Sequence, residues 1–346
     1  MIDSKLEKRW ASVHQLIDDS DRIVFSTHIS PDGDGLGSQL AMARFLEKRG
    51  KECRIFNPTP LPGDMHFLTE FGTFEEYDRQ MHFDWVKSAD LAIAFDIGDY
   101  KRLGRLGHDF QKACLPALSI DHHPHPSPNG FTYSVHDISA CATGFLVYEY
   151  IKYANGKNGS RPALEPEIAK SLYVAILTDT GSFRFNNTSA EAHEMASELI
   201  RSGVRPYDVY EQVYESTPVE RIRLMALALD TVEVEGDGTL AWFTVTKEMM
   251  EEAGAKDEHV GGFTDLVRSI KGVEVAAMVH EKPGGQSRVN FRSKGRVRID
   301  ELARCLGGGG HAFAAGVLLE QPIEEATSLV VSKILTEIKI QLNLEE

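Results

Sequence analysis

Short apolar runs separated by longer amphipathic stretches fill the first half of the chain. Residues 21–27 (DRIVFST) are β-branched and aromatic, and they read as a buried strand ending at His28. LAIAF at 91–95 and PALSI at 116–120 repeat the pattern and end at Asp96 and Asp121. After the first run, SQLAMARFLEKRG (38–50) sets Leu40, Ala43, Phe45 and Leu46 at helical spacing, with Gly50 as the stop. Strands alternating with helical segments predict an α/β domain with a parallel sheet. Such sheets bind ligands outside the carboxyl ends of their strands. All three runs deliver an acid or a histidine there.

EPEIAKSLYVAILTD (165–179) keeps the helical period through Ile168, Leu172, Ala175 and Ile176, so Asp179 falls at a helix end just before Gly181. NGKNGSRPALEP (155–166) reads as a surface loop. Beyond residue 190 the texture changes. Thr217-Pro218-Val219-Glu220 has the form of a capping box with proline at the first helical position. The helix that follows carries Ile222, Met225, Ala226 and Leu229 on one face and is expected to connect two domains. LAWFTVT (240–246), VEVAAMVHE (273–281) and RVNFRS (288–293) then restart a strand pattern. The expected organisation is a catalytic domain over 1–190, a helical linker over 191–236 and a smaller α/β domain over 237–346.

At 346 residues and 42% hydrophobic, the chain can fill two cores. Residues 1–22 lack the apolar core of a signal peptide, and no apolar stretch approaches the ~20 residues of a membrane helix. A soluble, cytoplasmic protein is the expectation. Cys53, Cys114, Cys141 and Cys305 form no C-x-x-C pair, which argues against a zinc ribbon or a redox dithiol. They read as buried thiols in a reducing compartment. A formal net charge of -15 opposes binding of long polyanions, whose affinity rests largely on neutralising many phosphates. A small phosphorylated ligand held by a few local cations remains open.

Five clusters carry candidate chemistry. STHISPDGDGLGS (26–38) contains His28, Asp32 and Asp34. In an extended loop the two aspartates can point to different sides, one toward each of two ions. The glycines at 33, 35 and 37 let the backbone approach a ligand or turn into the next helix. Taken alone, an Asx-rich turn explains the stretch equally well. Asp96 alone reads as a helix cap, and Asp179, with Thr180 and Ser182 beside it, as a cap or turn. IDHHPH (120–125) is stronger, because an acid and two adjacent histidines after an apolar strand rarely serve packing alone. The donors are oxygen and nitrogen with no thiolate, a set that suits Mn2+, Mg2+ or Fe2+ better than structural zinc. There are enough of them for two ions sharing one carboxylate, an arrangement used to displace at phosphorus. In CLGGGGHAFAAG (305–316), four glycines before His311 and a small-residue helix resemble a phosphate cradle at a helix N-terminus, with a hinge as the plainer reading. Residues 288–304 add Arg288, Arg292, Lys294, Arg296, Arg298 and Arg304 against Asp300 and Glu301, and Arg292 is the preferred ligand contact.

Taken in order, these clusters resemble the DHH-family phosphoesterases with a DHH-associated C-terminal domain. The likeness rests on H-x-x-P-D-G-D-x-x-G-S at 28–38, Asp96, D-H-H at 121–123, D-T-G-S-F at 179–183 and G-G-G-H-x-x-A-A-G at 308–316, and it spans nearly the whole chain. Within the family, the short architecture looks most like the nano-RNases that also dephosphorylate pAp. The resemblance implies an active site in the cleft between the two domains. It implies that His28, Asp32 and Asp96 hold one Mn2+, and that Asp34, Asp96, His122 and Asp179 hold a second, with Asp96 shared. Mg2+, Co2+ or Fe2+ are the expected substitutes. His123 would contact the scissile phosphate, and Asp121 would orient the site. Arg292, Gly308, Gly309, Gly310 and His311 would bind the substrate's other phosphate or its base. Phe145 stands where the family pattern suggests an acid, and reads as a packing difference.

The implied reaction is phosphoester hydrolysis by a two-metal-activated hydroxide, converting short oligoribonucleotides to mononucleotides and pAp to AMP. Long nucleic acids and membranes are not expected partners, and a homodimer is compatible with the sequence. Cyclic-di-AMP or linear pApA phosphodiesterase activity is the main alternative. Inorganic pyrophosphatase or exopolyphosphatase activity ranks lower, because Arg292-Ser293-Lys294 replaces the dense Arg-Lys-Lys cluster that a family II-type pyrophosphatase would need. A long-strand exonuclease would be expected to carry a basic channel. A catalytically dead binding protein would be expected to have lost a metal ligand, and all six are present.

Overall fold

The computed structural model describes residues 4–124, 130–157 and 164–343. The chain divides into two compact units, Met1–Ser216 and Thr217–Glu346.

The first unit is built on six strands: β1 (Arg22–Ser26), β2 (Glu52–Asn57), β3 (Phe74–Glu76), β4 (Leu91–Phe95), β5 (Ala117–Asp121) and β6 (Tyr133–His136). All neighbours pair in parallel, in the order β3-β2-β1-β4-β5-β6. The three apolar runs are its central strands, and they are largely apolar and almost wholly buried because both faces are covered. On one face Ile23, Phe25, Ile93, Phe95, Leu118 and Ile120 pack against helices such as Gly33–Glu47 and Pro166–Asp179. On the other, Val24, Ala92, Ala94 and Ala117 join Val86, Leu106 and Phe110 of helices Arg79–Lys87 and Gly104–Lys112. The strand order reverses direction between β1 and β4. Their carboxyl ends splay the following loops apart there, which is where open α/β sheets bind ligands. His28 follows β1 and Asp96 follows β4.

The first glycine-rich stretch corrects the expectation of an extended loop. The helix begins at Gly33, not after Gly37, because the Asp32 carboxylate caps it by accepting from the Asp34 and Gly35 N–H groups. Asp34 therefore sits in the first helical turn. The glycines serve close packing: a Cβ at Gly35 would fall on the Thr27 hydroxyl, and one at Gly37 on the Ser171 carbonyl. Helix Pro166–Asp179 matches the expected span and ends at Asp179. The loop expected at 155–166 is shorter than supposed, since helix Thr143–Lys157 continues to Lys157, and residues 158–163 lie outside the described residues. Phe145 is half-buried against the main core, so its place is one of packing.

The second unit holds a mixed sheet of β7 (Glu233–Glu235), β8 (Leu240–Val245), β9 (Val275–Lys282), β10 (Gln286–Ser293), β11 (Gly309–His311) and β12 (Ala314–Leu319), in the order β11-β12-β10-β9-β8-β7. Helix Ile323–Leu342 covers one face over Val275, Val289, Phe291 and Val317. Two sequence expectations fail here. Thr217 does not cap helix Val219–Asp230: Pro218 occupies the cap position with no side-chain bond, and the buried face is Leu224 and Ala228 while Ile222 and Leu229 are exposed. The segment after the four glycines is a β-hairpin, not a helix, because Gly310 at φ 144 and the Gly309–Gly316 pairing commit the chain to strand. A Cβ at Gly308 would overlap the Gly316 carbonyl, so these glycines allow two strands to approach. The cysteines also differ from expectation. Cys141 is buried, Cys53 is intermediate, and Cys114 and Cys305 are exposed on loop and helix-end positions.

Candidate functional site

Each chemistry-bearing side chain of the first unit sits where an element ends. Beyond β1, the His28 imidazole is 5% exposed, and its Nδ1–H donates to the Ile29 carbonyl at 2.9 Å. That bond leaves Nε2 facing the carboxylates, 3.4 Å from Asp96 Oδ2 and 3.7 Å from Asp32 Oδ2. Beyond β5, His122 repeats the arrangement. Its Nδ1–H donates to the Ala140 carbonyl at 3.1 Å, and its Nε2 is buried with no hydrogen-bond partner. Three carboxylate oxygens surround that nitrogen: Asp96 Oδ1 at 3.5 Å, Asp179 Oδ2 at 3.6 Å and Asp34 Oδ2 at 3.7 Å. A buried lone pair ringed by anionic oxygens at that range suits a shared divalent cation, so the donor set fits one.

Asp96 lies between the two groups. One of its oxygens faces His28 and the other faces His122. Its own backbone is left-handed at φ 59, a conformation a non-glycine residue adopts at a cost of about 1–3 kcal/mol. The Thr143 hydroxyl donates to Asp96 Oδ1 at 3.0 Å. Asp34, 1% exposed, is held by the first N–H groups of helix Thr143–Lys157, Thr143 to Oδ2 at 2.6 Å and Gly144 to Oδ1 at 2.8 Å, with Ser38 at 3.3 Å. Asp179 is steadied by the Asn187 side-chain amide, which donates to its Oδ2 at 3.0 Å and also to the Cys141 carbonyl. His123 Nδ1 meets Asp121 Oδ1 at 2.9 Å and lies 3.3 Å from Asp96. Three sets of donors therefore converge: His28, Asp32 and Asp96; Asp34, His122 and Asp179; and Asp96, His122 and His123.

So many carboxylates in one place alter every proton affinity. Burial pushes the Asp34 carboxyl well above its usual range, and the charges of Asp96, Asp179 and Asp32 push the same way. Asp179 rises to about 6, again by burial, with Asp96 adding and His122 opposing. Burial disfavours a charged His28, but its bonds to Asp32 and Asp96 outweigh that and lift it to about 9. Asp32 goes down despite burial, because His28 holds its charged form. The Asp121 bond, working against burial, raises His123 to about 8. Protons take up the positive charge that this arrangement of acids demands.

All six expected metal ligands, with Asp121 and His123, come together at the strand ends. Thr143, Gly144, Ser38 and Asn187 were missed. The Thr-Gly pair opening the helix after the D-H-H loop was the available signal, since a helix start offers free N–H groups. In the second unit Arg292 and Gly308–Gly310 line a cavity of about 730 Å³ together with Lys282 and Arg288. Arg292 is 3.5 Å from Asp265, while Arg298 and Arg304 both pair with Asp300. The side chain of His311 and the whole of His125 lie outside the described residues.

A doubly wound parallel sheet with a carboxylate–imidazole centre at its switch point defines the class of the first unit. The comparisons name its family. Residues 22–176 match the DHH family N-terminal domain, and residues 241–339 match the DHHA1 domain. The chain is 32% identical to the bifunctional oligoribonuclease and PAP phosphatase NrnA of Thermus thermophilus, over 86% of this chain and 84% of that protein. It is 30% identical to the Bacillus subtilis protein of the same name, over 86% and 88%. The crystal structure of an exopolyphosphatase-related protein from Bacteroides fragilis superposes with a TM-score of 0.89 at 26% identity, covering 97% of this chain and 98% of that one. The chain belongs to the DHH family. Among the described residues, no helix is long and apolar enough to cross a membrane.

Proposed function

We propose that this protein is a divalent-metal-dependent phosphoesterase that degrades short oligoribonucleotides to mononucleotides and converts pAp to AMP. The observation that carries the reading is Asp96, whose two oxygens face the Nε2 atoms of two different histidines. In this reading His28, Asp32 and Asp96 hold one cation, and Asp34, Asp96, His122 and Asp179 the other. Mn2+ is the proposed ion, because carboxylates and neutral imidazoles without thiolate suit it. Two such cations, when bound, supply Lewis-acid activation of water and neutralise charge on the phosphoryl oxygens.

The chain's own residues supply the rest. The carbonyls of Ile29 and Ala140 fix the tautomers of His28 and His122, so that both present Nε2. Asp121 accepts from His123 Nδ1–H and favours the imidazolium, so His123 Nε2–H is available to donate to a phosphoryl oxygen. Arg292 and the glycine-lined cavity of the second unit are proposed to take the substrate's other phosphate, with Lys282 and Arg288 adding positive charge. Few cations in an otherwise acidic chain favour short substrates over long strands. The names and the coverage of the two 30–32% identical relatives support the same substrate class.

A product assay tests this. Protein with Mn2+ receives equal concentrations of pAp, pApA, cyclic-di-AMP, a five-nucleotide RNA and pyrophosphate, with Asp96→Ala as control. AMP from pAp and mononucleotides from the linear RNAs, absent in the variant, are expected. Preferential loss of cyclic-di-AMP moves the assignment to cyclic-dinucleotide turnover, and phosphate from pyrophosphate alone refutes a nucleotide substrate.

A further inference from the structure

We infer that Thr143 is a positioning residue that locks the shared carboxylate Asp96 and its neighbour Asp34 into one rigid unit, and so sets the affinity of the centre for its pair of cations. The inference rests on the two-cation reading above. Thr143 contributes two donors from one residue: its backbone N–H meets Asp34 Oδ2 at 2.6 Å, and its hydroxyl meets Asp96 Oδ1 at 3.0 Å. A threonine hydroxyl has one proton, and a carboxylate can only accept, so the direction of this bond is fixed. Asp96 needs such a restraint, because it stands on a left-handed backbone at a strand end, where its carboxylate could otherwise rotate. The hydroxyl takes one acceptor direction of Oδ1 and leaves another facing His122, while Oδ2 faces His28.

The same helix start also reaches the third acid. Asn187 bonds both the Cys141 carbonyl, at 2.8 Å, and Asp179 Oδ2, at 3.0 Å. Asp34, Asp96 and Asp179, which come from three distant parts of the chain, are thus referenced to residues 141–144. Ala140, Cys141 and Ala142 are buried and apolar, and Thr143 itself is 0% exposed. Packing alone would accept valine there, and the hydroxyl earns its place through Asp96.

The test compares Thr143→Val, which keeps the shape and loses the donor, with Thr143→Ser, which keeps the donor and loses a buried methyl group. Chelator-treated full-length protein is titrated calorimetrically with Mn2+, and the melting temperature is read in chelator. Positioning predicts two Mn2+ per wild-type chain, an affinity lowered about 10–100-fold in Thr143→Val, and near-wild-type affinity in Thr143→Ser. A packing role predicts the reverse order: Thr143→Val neutral in affinity and in chelator, Thr143→Ser the less stable. That result overturns the inference and leaves the two-cation reading standing. Failure of the wild type to take up Mn2+ overturns the two-cation reading itself, and the inference with it.

Discussion

Replacing Asp179 by asparagine should stabilise the chelated protein at neutral pH while removing most of its response to Mn2+. Burial and the neighbouring Asp96 and Asp32 raise the Asp179 carboxyl from 3.8 to about 6, with His122 opposing. The native state therefore binds this proton more tightly than the unfolded chain does. Between 3.8 and 6 the native state carries more protons, so this group's contribution to stability falls as pH rises, and the loss is complete above 6. A rise of that size corresponds to roughly 3 kcal/mol. The side chain is 26% exposed, and screening reduces the expected gain to about 1–2 kcal/mol. For a unit of about 200 residues that means a melting temperature higher by roughly 2–8 °C at pH 7.5, with little difference at pH 4. Asparagine retains an oxygen to accept the Asn187 amide, which limits other losses. In the wild type, Mn2+ at a hundred times its Kd should add about 2.7 kcal/mol, and the variant should show a fraction of that. Differential scanning fluorimetry at both pH values, in chelator and in Mn2+, measures all four quantities. A variant less stable than wild type in chelator at pH 7.5, or one with an undiminished Mn2+ response, refutes the reasoning that these acids repel one another until a cation arrives.

Three further outcomes are expected. His280 is held neutral, its pKa pushed down to about 4 by burial and by Lys282 and Arg288 against the pull of Asp257; since the unfolded chain takes up that proton below about 6.5, the second unit should lose stability as pH falls from there toward 4, and hydrogen exchange of β9 and β10 should show this less in His280→Leu. Gly37→Ala drives a methyl group onto the Ser171 carbonyl between two packed helices, with an expected cost of about 1–3 kcal/mol in thermal unfolding, while Gly63→Ala, with nothing within 4 Å, should be close to neutral. Arg292→Ala removes the proposed phosphate contact, so its KM for pAp should rise about 10-fold or more with Mn2+ binding unchanged; an unaltered KM would remove Arg292 from the proposed substrate site.

The sequence by itself determined the central strands and singled out the acids and histidines that the fold brings together beyond them. A short, mostly apolar run before Asp96 or Asp121 has few other uses, because a strand covered on both faces buries nearly every position. Helix Pro166–Asp179 was equally legible from its period, which local chemistry sets. What the sequence left open was everything that depends on contact between distant segments. That Asp34 is helical followed from the Asp32 cap together with glycines shaped to the Thr27 hydroxyl and to the Ser171 carbonyl, the latter far away in sequence. The run of four glycines has the same local propensity before a helix as before a strand, and pairing with Gly316 and Ala315 decided for strand. The same limit hid Thr143 and Asn187: a Thr-Gly helix start signals free N–H groups, but which acids they and the hydroxyl meet is set only when folding brings Asp34 and Asp96 within reach.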